Sequence, residues 1–359
     1  MGRYILKKIQ QSFWTLLGVV TTIFFLFNVL PGDPAQMMLG QNEDQAQLRL
    51  VKQKYGFDQP IITQYFYYLN DLSPLSFHSN STEDYTFLES HPYSFQPLFK
   101  TKNTSVVLKY PYLRTSFTKQ GKKVSEILKE TLPNTIILAV ASICIALLLG
   151  LFLGVISALY KDHWVDKTIL VVSTFGMSLP SFFSAILAAW IFGFLLHHYT
   201  GLEMTGSLYE LDDFGEVYQL KLKNLILPAF VLGIRPLAVV TQLMRNSLLE
   251  VFNQDYIRTA RAKGLSEFQI IFKHAMKNAL NPVVTAISGW FASLLAGAVF
   301  VEYIFAWNGL GKEIVNALNT LDLPVIMGAV LIIALTFVLI NILVDIIYTY
   351  LDPKIKLND

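Results

Sequence analysis

Long uncharged apolar runs alternate with polar stretches along this chain. The runs cover residues 9–32, 131–160, 168–202, 278–301 and 323–344; a sixth, 224–244, is interrupted only by Arg235. Each reaches the ~20 residues that a helix needs to cross the hydrocarbon of a bilayer. The pattern predicts an all-α membrane protein, a single domain over residues 1–359 with six transmembrane helices. Run 168–202 is too long for one straight crossing and contains Pro180, so it reads as one helix kinked at the proline. The kink serves either as an internal hinge or as a fit to neighbouring helices.

Arg3, Lys7 and Lys8 precede the first run, as in a signal peptide. That run is too long for a signal-peptide core and ends in Leu30-Pro31-Gly32-Asp33-Pro34 without a small-residue cleavage site, so it is expected to stay. The segment 31–133 follows. Gln45–Tyr55 and Ile61–Leu72 have amphipathic spacing, whereas residues 73–109 are rich in Ser, Thr, Asn, Tyr and Phe with no sustained period. Such aromatic content predicts a small ordered cap with mobile loops. Residues 122–129 then lead into the second helix.

Helix two carries Ala146, Gly150 and Gly154, and helix five carries Gly289, Ser293 and Gly297. Small residues four apart let backbones approach closely in lipid. They fit ordinary bundle packing, or else a subunit seam or a sliding pore wall.

Charge distribution sets the orientation. Thirteen Lys and Arg fall in the termini and the loops on their side, against only Lys221, Lys223 and Lys312 in the short loops opposite. Both termini are therefore expected to be cytoplasmic and segment 31–133 extracytoplasmic. Charged residues are only 15% of the 359 against 53% hydrophobic, less charge than a soluble domain exposes. The single cysteine, Cys144, lies mid-run, which excludes a disulfide frame or a cysteine metal site.

The densest basic cluster, "DYIRTARAKGLSEFQIIFKHAMKNALNP" at 255–282, sits between two apolar runs. Asn253, Gln254 and Asp255 suit a helix start, and residues 256–263 support about two turns. Gly264 falls where a helix end favours the left-handed conformation. Ser266 and Gln269 fit a capping box. The second helix then places Phe268, Ile271, Phe272, Ala275 and Ala279 on one stripe, with Lys273 and Lys277 on another face. A basic amphipathic segment often simply lies on anionic lipid. A capped helix–glycine–helix shape suits instead a docking element for a soluble partner.

This stretch resembles the cytoplasmic coupling loop (residues 253–281) of ABC importer permeases of the oligopeptide and dipeptide branch, the peptide/nickel permease family. "RYILKKIQQSFWTLLGV", "LPGDPA", "LPNTIILAVAS", "GVISALYKDHWVDK", "SLPSFF", "EYIFAWNGLGKEI" and "NILVDIIYTYLDPKIK" resemble further family segments in order. The resemblance implies an ABC importer permease fold in a bacterial cytoplasmic (inner) membrane, and a translocation pathway for peptides. It also implies docking on a partner ATPase through Tyr256, Arg258, Ala260, Arg261, Lys263 and Gly264. The small Ala260 and Gly264 would allow close approach, and the basic residues would meet acidic groups or carbonyls. Implied partners are a second homologous permease, two ATP-binding subunits and an extracytoplasmic solute-binding protein, with no nucleic acid. No cofactor is expected in this chain; ATP and Mg would sit on the ATPase subunits. Thr259 stands where the superfamily signature has an acid, as is usual in the peptide branch, and residues 75–110 exceed the family's common pattern.

Other chemistry is poorly supported. Gly201–Ser207 mimics the opening of a phosphate loop but lacks its lysine, and Gly309-Leu310-Gly311-Lys312 reads as a turn. His197 and His198 are adjacent and do not converge on one ion. No nucleophile–base motif appears, so no enzyme activity is expected. Glu302 and Asp345 lie near helix ends, which leaves Arg235 as the only deep charge and disfavours a proton-driven carrier. A cation at that depth costs roughly 3 kcal/mol or more. Arg235 is therefore the candidate substrate-pathway residue, against the alternative of a snorkelling or structurally paired arginine. The same type of importer for nickel or another small solute, and a stand-alone channel or secondary carrier, remain the alternative functions.

Overall fold

The structure is a computed structural model that describes residues 2–29, 34–39, 45–82, 84–88, 94–119, 121–212 and 214–351. The turn at Pro31, Gly32 and Asp33, the terminal Lys354 and Lys356, and the side chain of Asp345 lie outside the described residues. In chain order the elements begin with α1 (Gly2–Val29), α2 (Pro34–Leu39), α3 (Gln45–Tyr55) and α4 (Ile61–Leu72), then strands β1 (Leu75–Ser79), β2 (Phe95–Lys100) and β3 (Thr104–Lys109). Next come α5 (Val124–Leu159), α6 (Trp164–Ser178), α7 (Ser181–Ala188, extended by a π-helical stretch Ala189–Leu195), α8 (His197–Thr200), β4 (Tyr209–Leu211) and β5 (Tyr218–Leu220). The chain continues through α9 (Lys223–Phe252), α10 (Asp255–Ala262), α11 (Glu267–Gln269), a π-helical stretch Ile270–Ala275 and α12 (Met276–Ala279). It ends with α13 (Asn281–Gly297), α14 (Val299–Ile304), α15 (Leu310–Asn319) and α16 (Leu323–Leu351).

Among the described residues, four stretches are long and apolar enough to cross a membrane: Leu6–Asn28, Val124–Leu159, Lys223–Phe252 and Leu323–Val344. The pair Trp164–Ser178 and Ser181–Leu195 passes the same test jointly but is bent by 107°. This corrects the expectation of one kinked helix over 168–202. Leu179 is extended (φ −73°, ψ 137°), because the residue before a proline is pushed out of the α region. The helix stops there and restarts in a new direction. Asn281–Leu295 is apolar but shorter.

The chain divides into two compact units, Met1–Glu130 with Ile314–Leu335 and Thr131–Glu313 with Thr336–Asn358. In the first, α1 meets α4 through Phe24 against Tyr65 and Tyr68, and the Thr21 and Tyr65 hydroxyls share a 2.7 Å hydrogen bond. The strands form an antiparallel sheet in the order β1-β3-β2. Polar side chains share its inner face: Ser76, His78, Ser105 and Lys109 point inward beside Val107, while Leu75, Phe77 and Leu108 face out. The inward polar groups are hydrogen-bonded, Ser76 to His78 at 2.8 Å, Ser105 to Asn80 at 2.7 Å and Lys109 Nζ to the Asp71 carbonyl at 2.5 Å. Asp71 also receives Arg114 Nε at 2.8 Å, and the guanidinium lies over the Tyr68 and Tyr85 rings. Burial pushes the Tyr68 and Tyr112 hydroxyls up to about 12 and lowers the Lys109 ammonium.

In the second unit glycines set the helix spacing. A Cβ on Gly150 would lie 2.8 Å from Val240 Cβ, and one on Gly154 2.7 Å from Met244 Cβ, so both glycines are used for packing α5 on α9. Gly289 and Gly297 of α13 meet nothing within 4 Å among the described residues. Leu138, Leu232, Leu295, Phe305 and Trp307 lie in one core, and Val240, Met244, Leu248, Ile257 and Ile270 in another.

Candidate functional site

The basic stretch forms two short helices joined at Gly264. Helix α10 starts from Gln254 in extended conformation, and no side chain caps it. At its end the Leu265 amide donates to the Ala260 carbonyl (3.3 Å) and the Gly264 amide to the Arg261 carbonyl (2.9 Å). This is the paired bonding of a Schellman turn, and it needs a left-handed residue, here Gly264 at φ +75°. The chain restarts at Ser266, whose hydroxyl accepts from the Gln269 amide while its own amide donates to Gln269 Oε1 at 3.2 Å. The expected glycine turn and capping box are thus both present. Arg261 straps the turn: Nε donates to Glu267 Oε1 (3.0 Å) and Nη2 to Oε2 (3.3 Å).

Ala260 is buried beside Ile257 in the chain's own core. Its small side chain lets α10 lie close to this chain's other helices. The apolar stripe is only partly buried. Ile270, Ile271, Ala275 and Ala279 are buried, whereas Phe268 and Phe272 are 69% and 51% exposed with ring centroids 4.5 Å apart. Ile271, Ala275 and Ala279 keep their places on the buried stripe, while Phe268, ahead of the π-helical stretch, and Phe272, within it, stand outside. The exposed surface includes Tyr256, Arg258, Arg261, Lys263, Gly264 and the two phenylalanines, with Asp255 and Glu267 among them. Tyr256 accepts a 2.8 Å bond from Asn278 Nδ2, and Arg258 approaches Asp255 at 3.5 Å. Thr259 donates its hydroxyl to the Asp255 carbonyl at 3.0 Å.

Arg235 lies on α9 with its side chain exposed, and its Nη2 donates to the Leu179 carbonyl at 3.4 Å. That carbonyl sits at the break between α6 and α7. Arg235 shares a cavity with Ser181, Ser184, Trp290 and Ser293.

The phosphate-loop look-alikes are engaged internally. The fully buried Glu302 carboxylate accepts from the Gly311 amide at 2.6 Å, and Thr135 Oγ1 accepts from the Leu310 amide at 2.8 Å. The Ser207 amide donates to Glu210 Oε1 at 3.0 Å. His197 Nδ1 donates to the Leu202 carbonyl at 2.7 Å. Sequence reasoning missed the Arg245–Asp166 pair, 2.6 Å apart, because nothing local links positions in different helices. The exposure of Phe268 and Phe272 was hidden by the helical count.

Several long apolar helices and a rigid two-helix element between apolar segments define a multi-pass membrane protein. The family model described as "Binding-protein-dependent transport system inner membrane component" matches residues 150–357, and the N-terminal model of such membrane components matches 1–85. The chain belongs to this family, which is one of transport subunits and not of enzymes. Among its relatives is the dipeptide transport system permease protein DppB of Alkalihalophilus pseudofirmus, 32% identical over 99% of this chain and 100% of that protein. A putative peptide transport system permease protein of Brucella abortus is 34% identical over 99% of each chain. A probable D,D-dipeptide transport system permease protein of Escherichia coli K12 is 31% identical over 97% of this chain and 96% of its own. Among solved structures, a chain of the MetNI methionine ABC transporter in an inward-facing conformation shares the fold. Its TM-score is 0.50 at 16% identity, over 63% of this chain and 97% of that one.

Proposed function

We propose that this chain is the permease subunit of an ATP-driven peptide importer, forming the translocation pathway and coupling it to a partner ATPase. The observation that supports coupling is the turn at Gly264: two short helices held in one geometry expose cations and paired aromatic rings. A lipid-binding helix needs no such fixed turn. Peptide as cargo is supported by the relatives, whose names specify peptide or dipeptide transport. The partners are a second homologous permease, two ATP-binding subunits that carry ATP and Mg, and an extracytoplasmic solute-binding protein.

The reading takes six crossings, with α6–α7 as one and α13–α14 as another, cytoplasmic termini, the coupling loop at 253–281 inside and segment 31–133 outside. The apolar outer face of its sheet, Leu75, Phe77 and Leu108, supplies a surface for the binding protein. Within the coupling loop, Tyr256, Arg258, Arg261, Lys263 and Gly264 meet the ATPase, and Ala260 seats the first helix on this chain.

The test is uptake of a labelled dipeptide by proteoliposomes holding the complete assembly. ATP-dependent, binding-protein-dependent uptake is expected, with a cysteine placed at Arg258 crosslinking to the ATPase. Uptake without ATPase subunits overturns the reading. So does cleavage of segment 31–133 by protease in inverted vesicles but not in intact spheroplasts.

A further inference from the structure

This inference rests on the reading of the chain as a peptide pathway and concerns which part of the peptide it grips. We propose that Arg235 anchors a carboxylate subsite, formed at the break between α6 and α7, that holds the C-terminal carboxylate of the peptide in transit.

The first observation is an unspent charge. Arg235 carries five N–H donors. Among the described residues its guanidinium makes one long hydrogen bond, 3.4 Å to the Leu179 carbonyl, and no carboxylate stands within ion-pair reach. A cation in an apolar helix without an acid partner marks a place where a negative group arrives from elsewhere.

The second observation is the company it keeps. The cavity beside Arg235 is lined by the hydroxyl-bearing Ser181, Ser184 and Ser293, none of them hydrogen-bonded through its hydroxyl among the described residues. Gly176 and Gly297 line it as well, so backbone and not side chain bounds part of its wall. Guanidinium and hydroxyl donors in a hollow otherwise walled by Val231, Leu232, Ile234 and Leu294 match a planar carboxylate, which accepts two parallel bonds from the guanidinium fork.

The third observation is the backbone. Helix α7 begins at Ser181 after Pro180, with no side-chain cap on its first turn. Its opening amides lie at the same break as the cavity, an arrangement in which broken helices favour anionic groups. An arginine that merely snorkels to the interface requires neither the hydroxyls nor the break.

The chemistry commits the site to one end of the cargo. A peptide with a free carboxylate is held; the same peptide as its C-terminal amide loses the ion pair and one acceptor.

The test uses the complete transporter in nanodiscs without the binding protein, which removes that protein's own selectivity. Alanylalanine and alanylalanine amide are titrated while Trp290, which lines the cavity, reports by fluorescence against a Trp290→Phe control. The acid is expected to bind about tenfold more tightly than the amide, the scale of one charged hydrogen bond. Arg235→Gln is expected to bring the ratio near one, and Arg235→Lys to restore part of it, with assembly checked by gel filtration. Equal binding of acid and amide, no acid-dependent change at Trp290, or an unchanged ratio in a well-assembled Arg235→Gln transporter overturns the subsite. ATP-driven dipeptide uptake is measured on the same preparation. Uptake without discrimination defeats the subsite alone, and discrimination without uptake defeats the transport reading alone.

Discussion

Arg245 of α9 grips Asp166 of α6 as a fork, Nε to Oδ1 at 2.7 Å and Nη2 to Oδ2 at 2.6 Å, with the carboxylate almost wholly buried. The Ser157 hydroxyl at the end of α5 and the Asp162 amide (3.0 Å) complete its acceptor sites. One carboxylate thus ties three helices beside the core on which α10 rests. Removing one partner of a buried pair strands the other charge, at about 3–5 kcal/mol. Arg245→Gln is expected to lower the thermal unfolding temperature in detergent markedly. Arg245→Lys is expected to fall between, since an ammonium cannot reproduce the fork. The double substitution Asp166→Leu with Arg245→Met is expected to recover part of the loss. Equal stability of Arg245→Gln and the parent would show that the pair contributes nothing.

That pair also shows where sequence reading ends. The Gly264 turn and the Ser266–Gln269 box were readable because their signals lie within a few residues of each other. The apolar runs were readable because a bilayer demands unbroken hydrophobicity. Asp166 and Arg245 are 79 positions apart, and each looks alone like an ordinary helix-end charge. The β1-β3-β2 sheet was hidden for another reason. It buries Ser76, His78 and Lys109 and exposes Leu75 and Phe77, so along β1 the usual in-and-out pattern runs backwards. Phe268 and Phe272 share the apolar spacing of Ile271, Ala275 and Ala279, and spacing alone does not tell which members of a stripe the rest of the chain covers.

Asp212 closes the β4–β5 hairpin by accepting from the Glu216 amide (2.8 Å) and the Val217 amide (3.3 Å). The Glu216 amide bond is the largest cause holding this carboxyl below its usual value of 3.8. A carboxyl depressed on folding contributes stability above its unfolded pKa and loses it as pH falls through the folded one. Hydrogen exchange at Glu216 and Val217, corrected for intrinsic rates, is expected to show protection above pH ~4 that disappears on further acidification. Asp212→Ala is expected to remove it at every pH. Protection that persists in Asp212→Ala rules out this carboxylate as the latch.

Gly309 has no room for a side chain. A Cβ there would stand 2.3 Å from Glu302 Oε2 and 2.6 Å from Oε1, and Glu302 is fully buried and bonded to the first turn of α15. Gly309→Ala is expected to destabilise by about 1–3 kcal/mol, the usual cost of overpacking. Glu302→Ala frees the space but leaves the Gly311 amide unpaired. Combining the two is expected to cost less than the sum of the single changes, as for residues in direct contact. Strict additivity in thermal unfolding would mean that the two do not touch.

Gly264 separates a docking element from a lipid anchor. Its φ is +75° and nothing lies within 4 Å of an added Cβ, so any effect of substitution comes from backbone conformation and not from a clash. A β-branched residue disfavours this region, and proline cannot enter it. The strain is on the order of 1–3 kcal/mol. That is too little to unfold the second unit, most of whose core residues lie on the long helices, but enough to redirect α11 and the exposed Phe268 and Phe272 relative to α10. Gly264→Val and Gly264→Pro are therefore expected to insert and assemble normally while losing most dipeptide uptake and its stimulation of ATP hydrolysis. Gly264→Asn, which tolerates the left-handed region, is expected to retain much of both. A segment that only lay on lipid would do so through its exposed rings, Phe268 and Phe272, which every one of these changes leaves in place in the sequence. Normal uptake by Gly264→Pro proteoliposomes would therefore remove the coupling role from this turn and leave the lipid reading in its place.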